Sequence, residues 1–194
     1  GPLVELFNFS VQTFKNAQGR KLSSMECHDL MCFIGQIVVV GGVRRSAMIS
    51  LSNLSDDRMR HAKSGQWWET AAHRALANNS VCYTEKPDVE TFMREWTALV
   101  ESKSGERGIF NREASRNQAE KYGRRDPNHE FGTNPCSEII LRPYQFCNLT
   151  EVVVRATDTI KDLERKVKIA TILGTIQSSY TKFPYLRKVW QRNT

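Results

Sequence analysis

Over residues 3–17 the apolar positions Leu3, Phe7, Val11 and Phe14 recur at helical spacing, with Pro2 at a tolerated first-turn position and Gly19 placed to terminate. That pattern predicts a helix. A second helix is expected over 22–38: Ser23 and Glu26 make an S-x-x-E capping box, Leu22 and Cys27 can staple it, and Leu30, Met31, Ile34 and Val38 continue the stripe up to Gly41 and Gly42. The alternation of Ala47, Ile49 and Leu51 with serines over 46–52 predicts a strand entered from a glycine-rich turn. Asp56–Lys63 reads as a short helix, and the polar Asn78-Asn79-Ser80 leads into a strand over Val81–Tyr83. Asp88 is placed to cap a helix over 89–102 that carries Phe92, Trp96 and Leu99 on one face.

Ile109 and Phe110 read as a short buried strand between glycines and a polar stretch, and residues 112–130 are polar enough to predict a long loop. Ile139–Leu141 and Val152–Val154 are further apolar runs, and 158–180 predicts a last long helix burying Leu163, Val167, Ala170, Ile172, Leu173 and Ile176. Strands alternating with helices predict an α/β arrangement with a partly parallel sheet. After the basic aromatic segment 185–192 the chain stops with no closing element expected.

The 194 residues suffice for one domain with a core, or for a piece of a larger one. The 40% hydrophobic and 25% charged composition is that of a globular protein, and no apolar run is long enough to cross a bilayer. A formal charge of +7 points towards a polyanionic partner. The basic residues are dispersed, with doublets at Arg44-Arg45 and Arg124-Arg125 and no aromatic-interleaved stripe, which favours nucleotide phosphates or a solvated surface over nucleic acid.

Five cysteines cannot all pair within the chain, and with no secretory signal in sight they point to a reducing compartment, here the cytoplasm. None forms a C-x-x-C pair, so no metal site is expected. Cys27, Cys32 and Cys82 lie in apolar segments and are expected as small core residues. Cys136 differs, because in Gly132-Thr133-Asn134-Pro135-Cys136-Ser137-Glu138 a thiol follows a proline with an amide two residues before and a carboxylate two after. In an extended backbone Asn134, Cys136 and Glu138 would project to one side, a grouping suited to hydrogen abstraction or proton transfer on a polyol. A lone cysteine in a turn is by itself more often structural. Cys147 follows after a polar turn containing Pro143, and a hairpin-like return would set the two thiols facing each other.

Gly132–Glu138 followed by Cys147-Asn148-Leu149 resembles the active-site finger loop of ribonucleotide reductases, above all the adenosylcobalamin-dependent class II ribonucleoside-triphosphate reductases. Gly41-Gly42-Val43-Arg44-Arg45-Ser46-Ala47 resembles their substrate-specificity loop, and Asn78-Asn79-Ser80 a further segment that is a weaker substrate-binding candidate. The resemblance implies that residues 1–194 are part of a ten-stranded α/β barrel, the middle of a longer reductase, with the finger loop threaded into it. It implies roles as well. Cys136 would carry the thiyl radical that takes the 3′-hydrogen, Glu138 would accept the 3′-hydroxyl proton, Asn134 would bond the ribose hydroxyls, and Cys147 would be one of two thiols oxidised as the 2′-hydroxyl leaves.

The implied cofactor is adenosylcobalamin. The implied partners are a ribonucleotide substrate, a nucleotide specificity effector, the remaining reductase segments and a thioredoxin-like reductant, with no nucleic acid and no membrane. Ser137 departs from the family's usual glycine, and the partner cysteine, the phosphate-binding elements and a further cysteine pair lie outside this chain. The competing expectation is a non-catalytic interaction fragment docking on a partner chain or nucleic acid, its thiols vestigial.

Overall fold

The computed structural model describes residues 1–40, 43–123 and 125–193, with residues 39, 40, 43 and 44 described by their backbone. Two helices open the chain, α1 (Pro2–Asn16) and α2 (Ser24–Gln36). The capping box at the start of α2 forms as the sequence predicts: the Ser23 hydroxyl accepts from the Glu26 amide at 3.2 Å, and Glu26 accepts from the Ser23 amide at 2.8 Å. Two short antiparallel strands follow, β1 (Val39–Val40) and β2 (Val43–Arg44), and then β3 (Met48–Ser52).

After the short helices α3 (Asp57–Arg60) and α4 (Trp67–Thr70) and a 3₁₀ turn over Ala72–Leu76, the chain enters β4 (Ala77–Tyr83). Helix α5 (Val89–Ser102), capped by Asp88, leads to β5 (Gly108–Asn111). These strands form one parallel sheet in the order β3-β4-β5, with Met48 opposite Ala77 and Ser80 opposite Gly108. The fold is α/β, and three parallel strands are its centre. β4 includes Asn78, Asn79 and Ser80, which the polarity of those residues had assigned to a lead-in. All three pair with β3, Ser80 pairs with β5 as well, and the Asn79 amide on that side donates to the Glu106 carboxylate instead.

Residues 112–130 are not a long loop. They contain α6 (Arg112–Tyr122), whose Asn111 side chain accepts from the Ala114 amide at 2.8 Å and whose end is closed by Gly123 at φ +58°. The segment lacks an apolar stripe, but its Glu, Ala, Arg, Gln and Lys residues are good helix formers between two caps. Strands β6 (Gly132–Thr133) and β7 (Ile140–Leu141) then pair antiparallel. Val152–Val154 is irregular and Val153 and Val154 are exposed. Helix α7 (Ile160–Ser178) and the short α8 (Lys188–Asn193) complete the order, so the basic aromatic end does contain an ordered element.

Burial departs from the sequence pattern at several faces. α2 buries His28, Asp29 and Cys32, while Met31, Ile34 and Val38 of its apolar stripe stay exposed. Cys27 is exposed too, against expectation, whereas Cys32 and Cys82 are buried as expected. α7 buries none of its described residues, and Val167, Ile172, Leu173 and Ile176 face solvent. The apolar face of α1 and the Trp96 side of α5 are likewise exposed. The total accessible area is 13672 Å².

Candidate active site

Strand alternation divides the polar triplet of β4 between two sides of the sheet. Asn78 and Ser80 share one face, where the Ser80 hydroxyl donates to Asn78 Oδ1 at 3.0 Å. Asn79 faces α2, where its Oδ1 lies 3.1 Å from His28 Nε2, and its backbone amide donates to Glu106 Oε2 at 3.1 Å. Behind it, His28 Nδ1 lies 3.0 Å from Asp29 Oδ1, and Arg74 grips both Asp29 oxygens at 2.8 and 2.7 Å. Burial disfavours the His28 cation, yet hydrogen bonds to Asp29, Cys32 and Asn79 outweigh it and raise the group to about 9. Burial likewise opposes ionisation of Asp29, but Arg74 and the two histidines His28 and His73 hold its carboxyl far below the usual range.

The cysteine loop closes the β6–β7 pair. The Asn134 carbonyl accepts from the Ser137 amide at 2.9 Å, making a tight turn with Pro135 and Cys136 at its centre and Ser137 at φ +68°. Asn134 is buried, and its Oδ1 accepts from the Ile139 amide at 3.0 Å and the Thr133 hydroxyl at 3.3 Å. The loop is therefore folded rather than extended, which corrects the expectation that residues 134, 136 and 138 project in parallel. Cys136 and Glu138 are exposed and Asn134 braces the turn from beneath. Cys147, beyond the turn at Pro143 and Tyr144, is half-buried; burial pushes its thiol up, and the nearby charges of Glu138 and Cys136 push it further. Cys136, Glu138 and Cys147 are thus within electrostatic reach of one another.

Aromatic packing fixes that return. Phe146 lies 4.9 Å from Trp190 and 4.7 Å from Phe183 between ring centroids, and Arg142 Nε donates to the Asn193 carbonyl at 3.3 Å. On the other flank, α6 holds the approach to the loop: Arg112 donates to the Phe131 carbonyl at 2.7 Å and Arg116 to that of His129 at 3.4 Å. Arg125 donates to the Ile140 carbonyl at 2.9 Å. Nothing in their sequence context singles out Arg112 and Arg116, although Asn111 as a cap places both on a helix.

Cys136 borders a cleft of about 590 Å³ at the N-terminal ends of the three parallel strands, lined also by Met48, Asn78, Ser80, Gly108 and Pro135. An apolar cavity of about 630 Å³ between α6 and β7 contains Tyr122, Phe131 and Ile140 but no thiol or carboxylate. Gly42 of the predicted specificity loop lies outside the described residues. Val43 and Arg44 form β2, Arg45 is exposed with its amide donating to the Val38 carbonyl at 2.9 Å, and Ser46 donates to the Gly35 carbonyl. Arg45 and Ser46 do not line the cleft, which begins one residue later at Ala47. No group of three or more His, Cys, Asp or Glu side chains among the described residues could hold a metal ion.

Proteins similar to this chain are ribonucleotide reductases, the class of enzyme that its thiol loop resembles. Specifically, they are adenosylcobalamin-dependent ribonucleoside-triphosphate reductases. That of Levilactobacillus brevis is 37% identical over 78% of the chain, that of Lacticaseibacillus paracasei 37% over 78%, and that of Lactobacillus acidophilus 33% over 99%. The chain spans about a fifth to a quarter of the length of these relatives, 20% of the first two and 26% of the third. No family model and no solved structure matches it. The resemblance is to the adenosylcobalamin-dependent ribonucleotide reductases and extends over most of the chain.

Proposed function

We propose that this chain is the segment of an adenosylcobalamin-dependent ribonucleotide reductase that carries its hydrogen-abstracting thiol, and that it works within a longer cytoplasmic polypeptide. The observation that carries the reading is Cys136 on the exposed apex of a braced turn, bordering a cleft, with Cys147 near enough for Cys136 and Glu138 to act on its thiol. In this reading the three parallel strands belong to a ten-stranded barrel whose other strands come from the rest of the polypeptide. A ribonucleotide occupies the cleft, Gly42, Val43, Arg44, Arg45 and Ser46 form the specificity loop, and a nucleotide effector acts through that loop.

Adenosylcobalamin, when bound, supplies a carbon-centred radical. The residues present fit that requirement, since an exposed S–H at Cys136 is a hydrogen donor such a radical can reach, while the groups that hold the body of the cofactor belong to other segments. Cys136, having given up its hydrogen atom, takes the 3′-hydrogen of the ribose and so regains an S–H bond. Glu138 accepts the 3′-hydroxyl proton. Asn134 has its carbonyl committed within the loop, so its amide nitrogen is the group left to donate to a ribose hydroxyl.

The 2′-hydroxyl then leaves as water with a proton from one of two thiols, the hydrogen of the other thiol replaces it at C2′, and Glu138 returns its proton to the 3′-oxygen. Cys147 and a cysteine outside this chain supply the two electrons, ending as a disulfide, and Cys136 returns its hydrogen to C3′. A thioredoxin-like protein reduces the disulfide. Cys147 is assigned this role because the turn brings it near Cys136 and Glu138, both of which act on its thiol.

The test uses the full-length polypeptide that carries this segment, with adenosylcobalamin, a ribonucleoside triphosphate and a dithiol. Cys136→Ser should abolish deoxynucleotide formation, because a serine O–H bond is too strong for hydrogen-atom transfer. Cys147→Ser should leave hydrogen abstraction intact and block multiple turnovers, and Glu138→Gln should slow turnover by ~10² to 10⁴. Deoxynucleotide made by the Cys136→Ser protein would overturn the reading in favour of an interaction fragment.

A further inference from the structure

The Cys136 turn touches the parallel sheet through one hydrogen bond that no part of the mechanism above uses. Asn78 Nδ2 donates to the carbonyl of Pro135, the residue just before the thiol, at 2.9 Å. The amide cannot be turned the other way, since the Pro135 carbonyl only accepts and a reversed Asn78 would set two oxygens against each other. The other end of the same amide is fixed as well, because Asn78 Oδ1 accepts from the Ser80 hydroxyl. Ser80 is buried, and the hydroxyl sits where Gly108 of the neighbouring strand leaves room: a Cβ at Gly108 would lie 2.9 Å from Ser80 Oγ.

We propose that Asn78 is a positioning residue for Cys136, the link by which β4 sets where the thiol stands in the cleft. The inference rests on the catalytic reading of Cys136 for its consequence in turnover, but not for its geometry. Pro135 has no N–H, so its carbonyl is the one backbone hydrogen-bonding group it can offer, and a bond there acts on the peptide leading directly into Cys136. The turn's remaining described hydrogen bonds, Ser137 to Asn134, Asn134 with Ile139, and the Thr133 hydroxyl to Asn134 and Ile139, all lie within the β6–β7 loop itself. They keep the loop's shape. Asn78 sets that shape in register with the sheet, and the Gly108–Ser80 packing leaves the Asn78 amide a single orientation.

Two variants in the full-length polypeptide separate this role from general support of the fold. Asn78→Ala removes the link, and Asn78→Asp keeps the size while putting an oxygen against the Pro135 carbonyl. Alkylation by iodoacetamide is followed residue by residue by peptide mapping. Both variants should change the Cys136 labelling rate by ~2- to 10-fold, the weight of one neutral hydrogen bond. Cys32 and Cys82 should remain protected.

In turnover both should lower kcat by ~10- to 100-fold, as a small misplacement of a reacting atom does. KM for the ribonucleotide should change less than kcat, since Asn78 is one of many residues that line the cleft and the others are untouched. An unchanged Cys136 rate in both variants overturns the proposal. So does labelling of Cys32 and Cys82 alongside Cys136, which would mean a loosened fold. A shifted Cys136 rate in a protein whose Cys136→Ser variant still makes deoxynucleotide leaves the link standing and removes the catalytic reading instead.

Discussion

At the scale of single residues, Ser137 shows how a local departure becomes a structural quantity. It stands at φ +68°, in the left-handed region that costs a side-chain-bearing residue roughly 1–2 kcal/mol. Ser137→Gly removes that cost but gives the unfolded chain more freedom, so stability should move by no more than about 1 kcal/mol. Ser137→Val, branched at Cβ, should cost about 1–3 kcal/mol, and thermal unfolding of the full-length protein would separate the two. His28 makes a pH prediction. Its folded-state value of about 9 lies above the ordinary one, so its stabilisation is complete below ~6.5 and is lost as pH rises through 9. The loss should be on the order of 3 kcal/mol between ~pH 6.5 and 9.5 and should flatten in His28→Gln, read from denaturant midpoints. Asp29 works in the opposite direction: its depressed carboxyl stabilises above the ordinary carboxylate range and ceases to as pH falls through its folded value. The buried cluster was not legible in the sequence: His28 and Asp29 are neighbours, but Arg74 lies 45 residues from Asp29 and Asn79 lies 51 from His28, and periodicity carries no information about such contacts.

At the scale of elements, the helices with an apolar stripe were legible, and capped α6, which has none, was not. Ser23, Asp88 and Thr159 each fix a helix start through bonds made within four residues, and those starts appear where the sequence puts them. α6 was missed because it has no apolar stripe and leans on the rest through arginine side chains donating to carbonyls. Removing its cap, Asn111→Ala, should cost about 1 kcal/mol and loosen the Arg112 bond to Phe131, measurable as faster amide exchange along the helix. The elements around the sheet are joined by a second feature beyond periodicity: buried Glu95 of α5 accepts from Arg60 of α3 at 2.6 Å and from Arg107, just before β5, at 2.6 and 2.8 Å. Arg107 continues to the Ser52 hydroxyl at the end of β3 at 2.7 Å. Glu95→Ala strands two buried guanidinium groups and should cost about 3–5 kcal/mol. Replacing all three charges with apolar residues should cost less, a contrast that denaturant titration resolves.

At the scale of the whole molecule, the chain exposes more surface than a self-contained protein of its mass. A compact monomer of 22.3 kDa has an accessible area of roughly 9,400 Å², against 13672 Å² here. The excess is carried by ordered elements: the outward faces of α1, α2, α5 and α7 are rows of Phe, Val, Ile, Leu and Trp. The stripes that the sequence marked as core lie on formed helices, and under the proposed function they are interior faces that the rest of the longer polypeptide covers. This is why periodicity predicted helices correctly and burial wrongly. The 194 residues alone should bind an apolar dye such as ANS and self-associate, and the full-length polypeptide should do neither. A dye-silent, monomeric, cooperatively unfolding 194-residue chain would contradict the reading of these faces as interior.

The order of the parallel strands has a bearing on how such a molecule is made. β3, β4 and β5 are all complete at Asn111, and Cys136 comes 25 residues later in the chain. A ribosome adding ~5–20 residues per second takes on the order of one to a few seconds over that interval. Sheet pairing of this kind takes milliseconds to seconds, so the strand bearing Asn78 can be in place before the thiol has been synthesised. The thiol proposed to abstract hydrogen is therefore the late arrival, added after the strand that positions it, and the interval between them is set by the length of α6 and the loops on either side of it.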